Sequence, residues 1–174
     1  TFPTLLALGV SPIAANVTNT IALCPGFIGG ILAQVKDLAG QRRRFRLFIL
    51  SSSIGGLTGS LLLLRTGEKA FMSLVPYLLL AASLLLAAQG LVRKWLQKRS
   101  IYLDAGANSE TWAVILAGVA AIYGGYFGVA MSVVVLCMLG LMIRDTLTRL
   151  NAIKQTVAFG ANGTAAVLFI FSDK

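Results

Sequence analysis

Residues 12–35, PIAANVTNTIALCPGFIGGILAQV, form an apolar run long enough to cross a hydrocarbon core, which takes about 20 residues of helix. Inside it Asn16, Asn19 and Thr20 recur at three- and four-residue spacing, which puts them on one helix face. A polar side chain in a membrane helix is costly, so such a face turns toward a partner, a cavity or a ligand. A second stretch, LNAIKQTV at 150–157, repeats the device with Asn151, Lys154 and Gln155, and Asn162 lies three turns further along. Two polar faces within one apolar chain predict a polar site between two halves.

The whole chain shares this character. Of its 174 residues 57% are hydrophobic and 12% charged, with a mean hydropathy of +0.83, whereas soluble domains carry about 25% charged residues. Further apolar runs lie near 45–64, 71–92, 112–136 and 150–171, too many and too dispersed to be one cleavable signal peptide. The expected fold is all-α, a polytopic transmembrane helix bundle in one membrane domain, 1–174, with at least five crossings. The opening TFPTLLALG and the apolar run ending at Ser172 read as parts of a longer transporter. Residues 1–10 are then the tail of an earlier segment, and a new helix starts at Ser11 and Pro12, since proline suits the first helical turn.

The net charge of +9, from 15 Lys and Arg against 6 Asp and Glu, concentrates in two short loops. Lys36, Arg42, Arg43, Arg44 and Arg46 crowd one, and Arg93, Lys94, Lys98 and Arg99 the other. Both adjoin apolar spans, so they speak for membrane orientation rather than nucleic acid, and loops 36–46 and 93–99 are expected on the cytoplasmic side. The turn at 65–69 then lies outside. By the same count the span from Trp112 exits, the 144–149 connection is external with Arg144, Asp145 and Arg149 around an entrance, and the helix from Leu150 returns inward. Both Asn-bearing helices would run the same way, as in two parallel repeats of about four helices, incomplete here. The first copy covers about 1–97 and the second about 112–174, around a cytoplasmic linker at 98–111. Overlaying the copies pairs Gly9 with Gly140, Asn16 with Asn151 and Asn19 with Lys154.

The region 112–143 is longer than one straight span and contains Gly118, Gly124, Gly125, Gly128 and Gly140, so a broken helix is expected there. Its glycines have two readings: a packing surface for neighbouring helices, or a break that presents free peptide groups to a substrate. The Asn residues have two as well, interhelical hydrogen bonds or ligand contacts, and Lys154 can either snorkel to the interface or hold an anion.

Asp37, Glu68, Asp104, Glu110, Asp145 and Asp173 all fall in loops or at span ends, so no carboxylate sits mid-span. Cation permeases and proton relays ordinarily need one, which favours an anionic or neutral substrate. There is no His, and Cys24 and Cys137 are isolated in apolar context, so neither a metal site nor a cofactor is expected. No nucleophile with a neighbouring base suggests an enzyme.

The runs LALGVSPIAANVTNTIALCPGFIGG at 6–30, YGGYFG at 123–128 and LNAIKQTVAFGANGTAAVLF at 150–169 resemble the TauE/SafE family of membrane proteins, the sulfite exporters. The resemblance covers most of the chain. It implies about eight spans in paired halves, each with a Gly-rich first helix and a second helix bearing Asn or Thr/Ser. It further implies movement of sulfur-containing anions such as sulfite, sulfonates and sulfoacetate. Carried over by position, the implied substrate site is Asn16, Thr18, Asn19 and Thr20 with Asn151, Lys154 and Gln155, and with backbone donors at Gly124, Gly125 and Gly128. The sequence departs from the family's glycine pattern at Val129, Ala130 and Met131. Alternating access between two helical repeats is the mechanism this implies. A passive anion channel and a non-transporting membrane subunit are the alternatives, the expected partners are a small anion and the lipid bilayer, and a homo-oligomer is left open.

Overall fold

The computed structural model describes residues 2–98, 108–128, 131–143 and 145–172. Its regular elements are helices: α1 Phe2–Ala7, α2 Pro12–Ala33, α3 Val35–Leu38, α4 Arg42–Arg65, α5 Glu68–Lys98, α6 Asn108–Tyr126, α7 Met131–Met142 and α8 Leu147–Ile170. Helix α2 begins as expected, with Pro12 in its first turn and the Ser11 hydroxyl accepting from the Ala14 amide at 3.4 Å. The Thr146 hydroxyl caps α8 in the same way, accepting from the Arg149 amide at 3.4 Å. By length and composition α2 and α4 are each able to cross a membrane.

Helix α4 organises the bundle. Phe48, Ser52, Gly55, Gly56, Gly59, Ser60 and Leu63 form its buried face, and the small residues let two helices come close. A methyl group on Gly56 would overlap the Ala161 backbone of α8, and one on Gly59 would run into the Ile122 carbonyl of α6. Hydrogen bonds follow the contact: the Ser51 hydroxyl donates to the Val114 carbonyl at 2.7 Å, and the Thr164 hydroxyl to the Ser53 carbonyl at 3.2 Å.

Two apolar clusters fill the interior at different depths. One joins Phe48 with Ala117 and Ala121 of α6, Val135 and Leu139 of α7, and Ile153 and Val157 of α8. The other joins Ala15, Leu63, Phe71, Phe127, Ala165 and Phe169, with Phe71 edge-on to Tyr126 at 5.8 Å between ring centroids.

The path of the chain corrects two expectations. Arg44, at the start of α4, lies 3.8 Å from the Glu110 carboxylate at the start of α6 and 3.0 Å from Asp145, just beyond α7. Arg149 pairs with Asp145 at 3.5 Å and donates to the Ala39 carbonyl at 3.4 Å. The start of α6, the end of α7 and the start of α8 therefore meet at the basic end of the bundle, beside loop 36–46. The segment around 145–149 is on the same side as that loop, not across the membrane from it. The physical reason is that α6 and α7 form a hairpin: the 12 residues of α7 make about 18 Å of helix, well short of the ~30 Å core, and return toward the entry side.

Consequently α8 starts where α2 ends. The Asn151 side chain donates to Gln34 at 3.1 Å near the end of α2, while Cys24 lies 3.6 Å from the Asn162 carbonyl further back. The two Asn-bearing helices run antiparallel, so they do not have the common direction that parallel repeats require. Arg99, Asp104, Val129, Ala130, Arg144 and Asp173 lie outside the described residues, as do most of the 98–111 linker and the side chains of Arg93, Lys94 and Lys98.

Candidate functional site

The expected break in the long apolar region falls between Tyr126 and Met131. Gly128 turns the chain with φ +75°, a left-handed conformation that side chains with a Cβ resist. The last turn of α6 closes on the Tyr123 carbonyl, which accepts from the Phe127 amide at 2.9 Å and from Gly128 at 3.4 Å. The Tyr126 carbonyl lies past the last intrahelical donor, and α2 supplies the replacement: the Asn16 amide group donates to it at 2.9 Å. Asn16 is 2% exposed, and one turn along the Thr20 hydroxyl donates to the Asn16 carbonyl at 2.9 Å.

Helix α8 reaches the same place. Buried Asn162 donates to the Ala158 carbonyl at 2.8 Å, and its side-chain oxygen faces Gly128, where an added methyl would stand 3.7 Å away. The buried Tyr123 hydroxyl, one turn before the break, has no hydrogen-bond partner among the described residues. The break is thus a junction of α2, α6 and α8 with amide, hydroxyl and interrupted backbone in an otherwise apolar interior.

Toward the basic end the α2–α8 seam stays polar. The Gln155 amide lies against Gly30, where a methyl would come within 2.9 Å of it, and Asn151 bonds Gln34 one turn further on. Lys154, half-buried, is three residues from Asn151, and among the described residues no carboxylate lies within ion-pair distance of it. On the outer side of the seam an apolar groove of about 800 Å³ runs between α2, α4 and α8, lined in part by Cys24, Ser53, Leu57, Gly160, Gly163 and Thr164.

The residues expected to share one site are therefore spread out. Asn16 and Thr20 stand at the break, while Asn151, Lys154 and Gln155 stand near the basic end. Eighteen residues separate Asn16 from Gln34, about 27 Å along α2. The antiparallel course of α2 and α8 makes this a polar line where a point was expected. Thr18 is exposed, away from the buried face of Asn16 and Thr20, and Asn19 is half-buried. Gly124 packs against the Met131 side chain and Gly125 against the Gly56 backbone, so both allow close approach, while Gly128 makes the turn.

Gln34 is the residue that the sequence reading passed over. Its signal was present: eighteen residues are five full helical turns, which returns it to the face of Asn16. The described residues hold no group of three or more His, Cys, Asp or Glu able to bind a metal ion.

This architecture, apolar helices around a broken hairpin and a polar seam, is that of a membrane protein. The family profile for the sulfite exporter TauE/SafE matches residues 1–174, and the chain belongs to that family of membrane transporters. Among curated proteins it is similar to the probable membrane transporter protein YfcA of Escherichia coli K12, at 25% identity over 130 residues covering 75% of this chain and 46% of the relative. The YfcA proteins of E. coli O6:H1 and O157:H7 match to the same extent. The chain thus spans about half the length of the curated relatives it matches. No solved structure matches it at a significant level.

Proposed function

We propose that this chain forms the substrate-conducting part of a transporter for a small anion, a sulfur oxyanion or sulfonate being the class the family name suggests. The observation that carries the reading is the junction at the break, where Asn16 bonds the Tyr126 carbonyl and Asn162 faces Gly128. Interrupted helices in transporters expose peptide groups to substrates. Here the donors are amides and hydroxyls, and all the described carboxylates lie at loops or helix ends. Amide and hydroxyl groups of this kind can replace the hydration of an anion, and no described carboxylate stands among them to balance a bare cation.

In this reading Lys154 supplies a full positive charge along the seam, and Asn151, Gln155 and Gln34 pass the anion between the basic end and the break. Asn16 holds the broken backbone in place when no substrate is bound. Transport proceeds by alternating access, with α2 moving against the α4–α6–α8 core, and the basic end faces the cytoplasm.

Uptake of labelled sulfite and of a sulfonate into liposomes, with and without a pH gradient, tests this. Saturable uptake with counterflow is the expected result. Non-saturating flux would indicate a passive pore, and no flux of either anion would remove the substrate class.

A further inference from the structure

A second cleft, separate from the seam, opens at the basic corner of the bundle, where α2, α3 and the start of α4 meet. It measures about 430 Å³ and is lined by Ile31, Val35, Leu38, Ala39 and Phe45, with Arg42 and Arg46 among its walls. These two guanidiniums stand four residues apart on one face of α4, and both are exposed. Their circumstances differ from those of two nearby cations, Arg44 and Arg149. Arg44 and Arg149 are neutralised by Asp145, with Glu110 helping Arg44, whereas no carboxylate among the described residues pairs with Arg42 or Arg46. The amides in the first turn of α4 add to the positive field, because Gln41 at the cap position makes no side-chain cap bond.

The cleft also sits at a particular depth. Arg42 opens a helix able to cross a membrane, which sets it at the interface beside the apolar wall of the cleft. Two forked cations above an apolar slot match a phosphodiester above an acyl chain, and Arg binds phosphate in a bidentate manner.

We propose that this cleft is a binding site for an anionic phospholipid, with the phosphodiester held by Arg42 and Arg46 and an acyl chain lying along Ile31, Val35, Leu38 and Phe45. A bound lipid would brace α2 against α4 at the end where the seam opens. A free phosphate would leave the apolar wall unused, and this is why the occupant is a lipid.

Lipid adducts counted by native mass spectrometry, after release of the protein from nanodiscs of phosphatidylcholine with a minority of phosphatidylglycerol, provide the test. The variant Arg42→Gln with Arg46→Gln should retain at least about thirtyfold less phosphatidylglycerol, because it loses charge-assisted hydrogen bonds to the bound phosphodiester. Lys36→Gln with Arg43→Gln removes the same charge from the same loop and should lower retention by less than about threefold. A second variant, Val35→Trp, keeps every charge and fills the slot, and it should also lose the lipid. Equal losses from the two charge pairs would reduce the effect to general surface attraction and overturn the site. Displacement of the lipid by the deacylated headgroup glycerophosphoglycerol, or full retention by Val35→Trp, would overturn it as well.

Discussion

Helices α2 and α4 are nearly equal in length, at 22 and 24 residues, yet they live in different surroundings. In their most apolar stretches 39% of α4 is buried inside the bundle but only 17% of α2. Helix α4 is clasped by α6 and α8 through Gly55, Gly56 and Gly59, with the Ser51 hydroxyl bonding across the contact. Helix α2 touches α8 through polar side chains toward the basic end and through Ala15 and its apolar neighbours toward the other, and shows Leu23, Ile28 and Leu32 to its surroundings. Close backbone packing gives rigidity, since small residues leave no slack to rearrange. A polar seam with few apolar contacts gives less cohesion and more chemistry. On the proposed reading stability is concentrated on α4 and ligand handling on the α2–α8 seam, and the two can be separated by mutation.

The largest effect is expected where that contrast is sharpest. Gly56→Ala should destabilise the protein by about 3 kcal/mol or more, because its methyl group overlaps α8 backbone that cannot retreat without unpacking α4. The same change at Gly29, which has open space around it, should alter stability by less than about 1 kcal/mol. Unfolding of the two variants in detergent, followed by circular dichroism, decides this, and equal losses would erase the distinction between the helices.

Lys154→Ala should leave unfolding nearly unchanged and lower anion uptake at least tenfold, since hydrogen bonds to a charged group are worth about 1.5–3 kcal/mol. Lys154→Arg should restore part of the uptake. Asn16→Ala should cost about 1 kcal/mol of stability by orphaning the Tyr126 carbonyl, together with a larger relative fall in uptake. A loss of stability without a loss of uptake would assign Asn16 to packing alone. The smallest effect belongs to Asp145→Asn, which loosens the links to Arg44 and Arg149 at the basic end. A loss near 1 kcal/mol is expected, shrinking in high salt, when wild type and variant are compared across ionic strengths.

The same contrast explains how far the sequence could be read. The apolar runs, the helix start at Ser11 and Pro12 and the break near Gly128 were legible because each rests on local chemistry. The direction of α8 was not. Counting basic loops assumes that each apolar run crosses the membrane once, and a hairpin such as α6–α7 leaves the basic end and returns to it. Arg149, read as an external cation, instead reaches Asp145 and the Ala39 carbonyl beside the basic loop. Asn16, Lys154 and Asn151 were identified as polar faces by spacing, but spacing along a helix carries nothing about depth in a partner, so a line was taken for a cluster. The stretch SSSIGGLTGS at 51–60 held a packing signal in plain view. Its glycines and serines recur at helical spacing, and only the contact with α6 and α8 shows that they hold the bundle together.

In the proposed cycle the α2–α8 seam opens during transport while the α4 core stays closed. In protein with Cys24 and Cys137 replaced by Ser, cysteines at Gln34 and Asn151 allow the seam to be locked by a short reducible bis-thiosulfonate cross-linker. Uptake should fall to background once the link forms and return when it is reduced. Undiminished uptake with the seam fully cross-linked would show that the anion passes elsewhere.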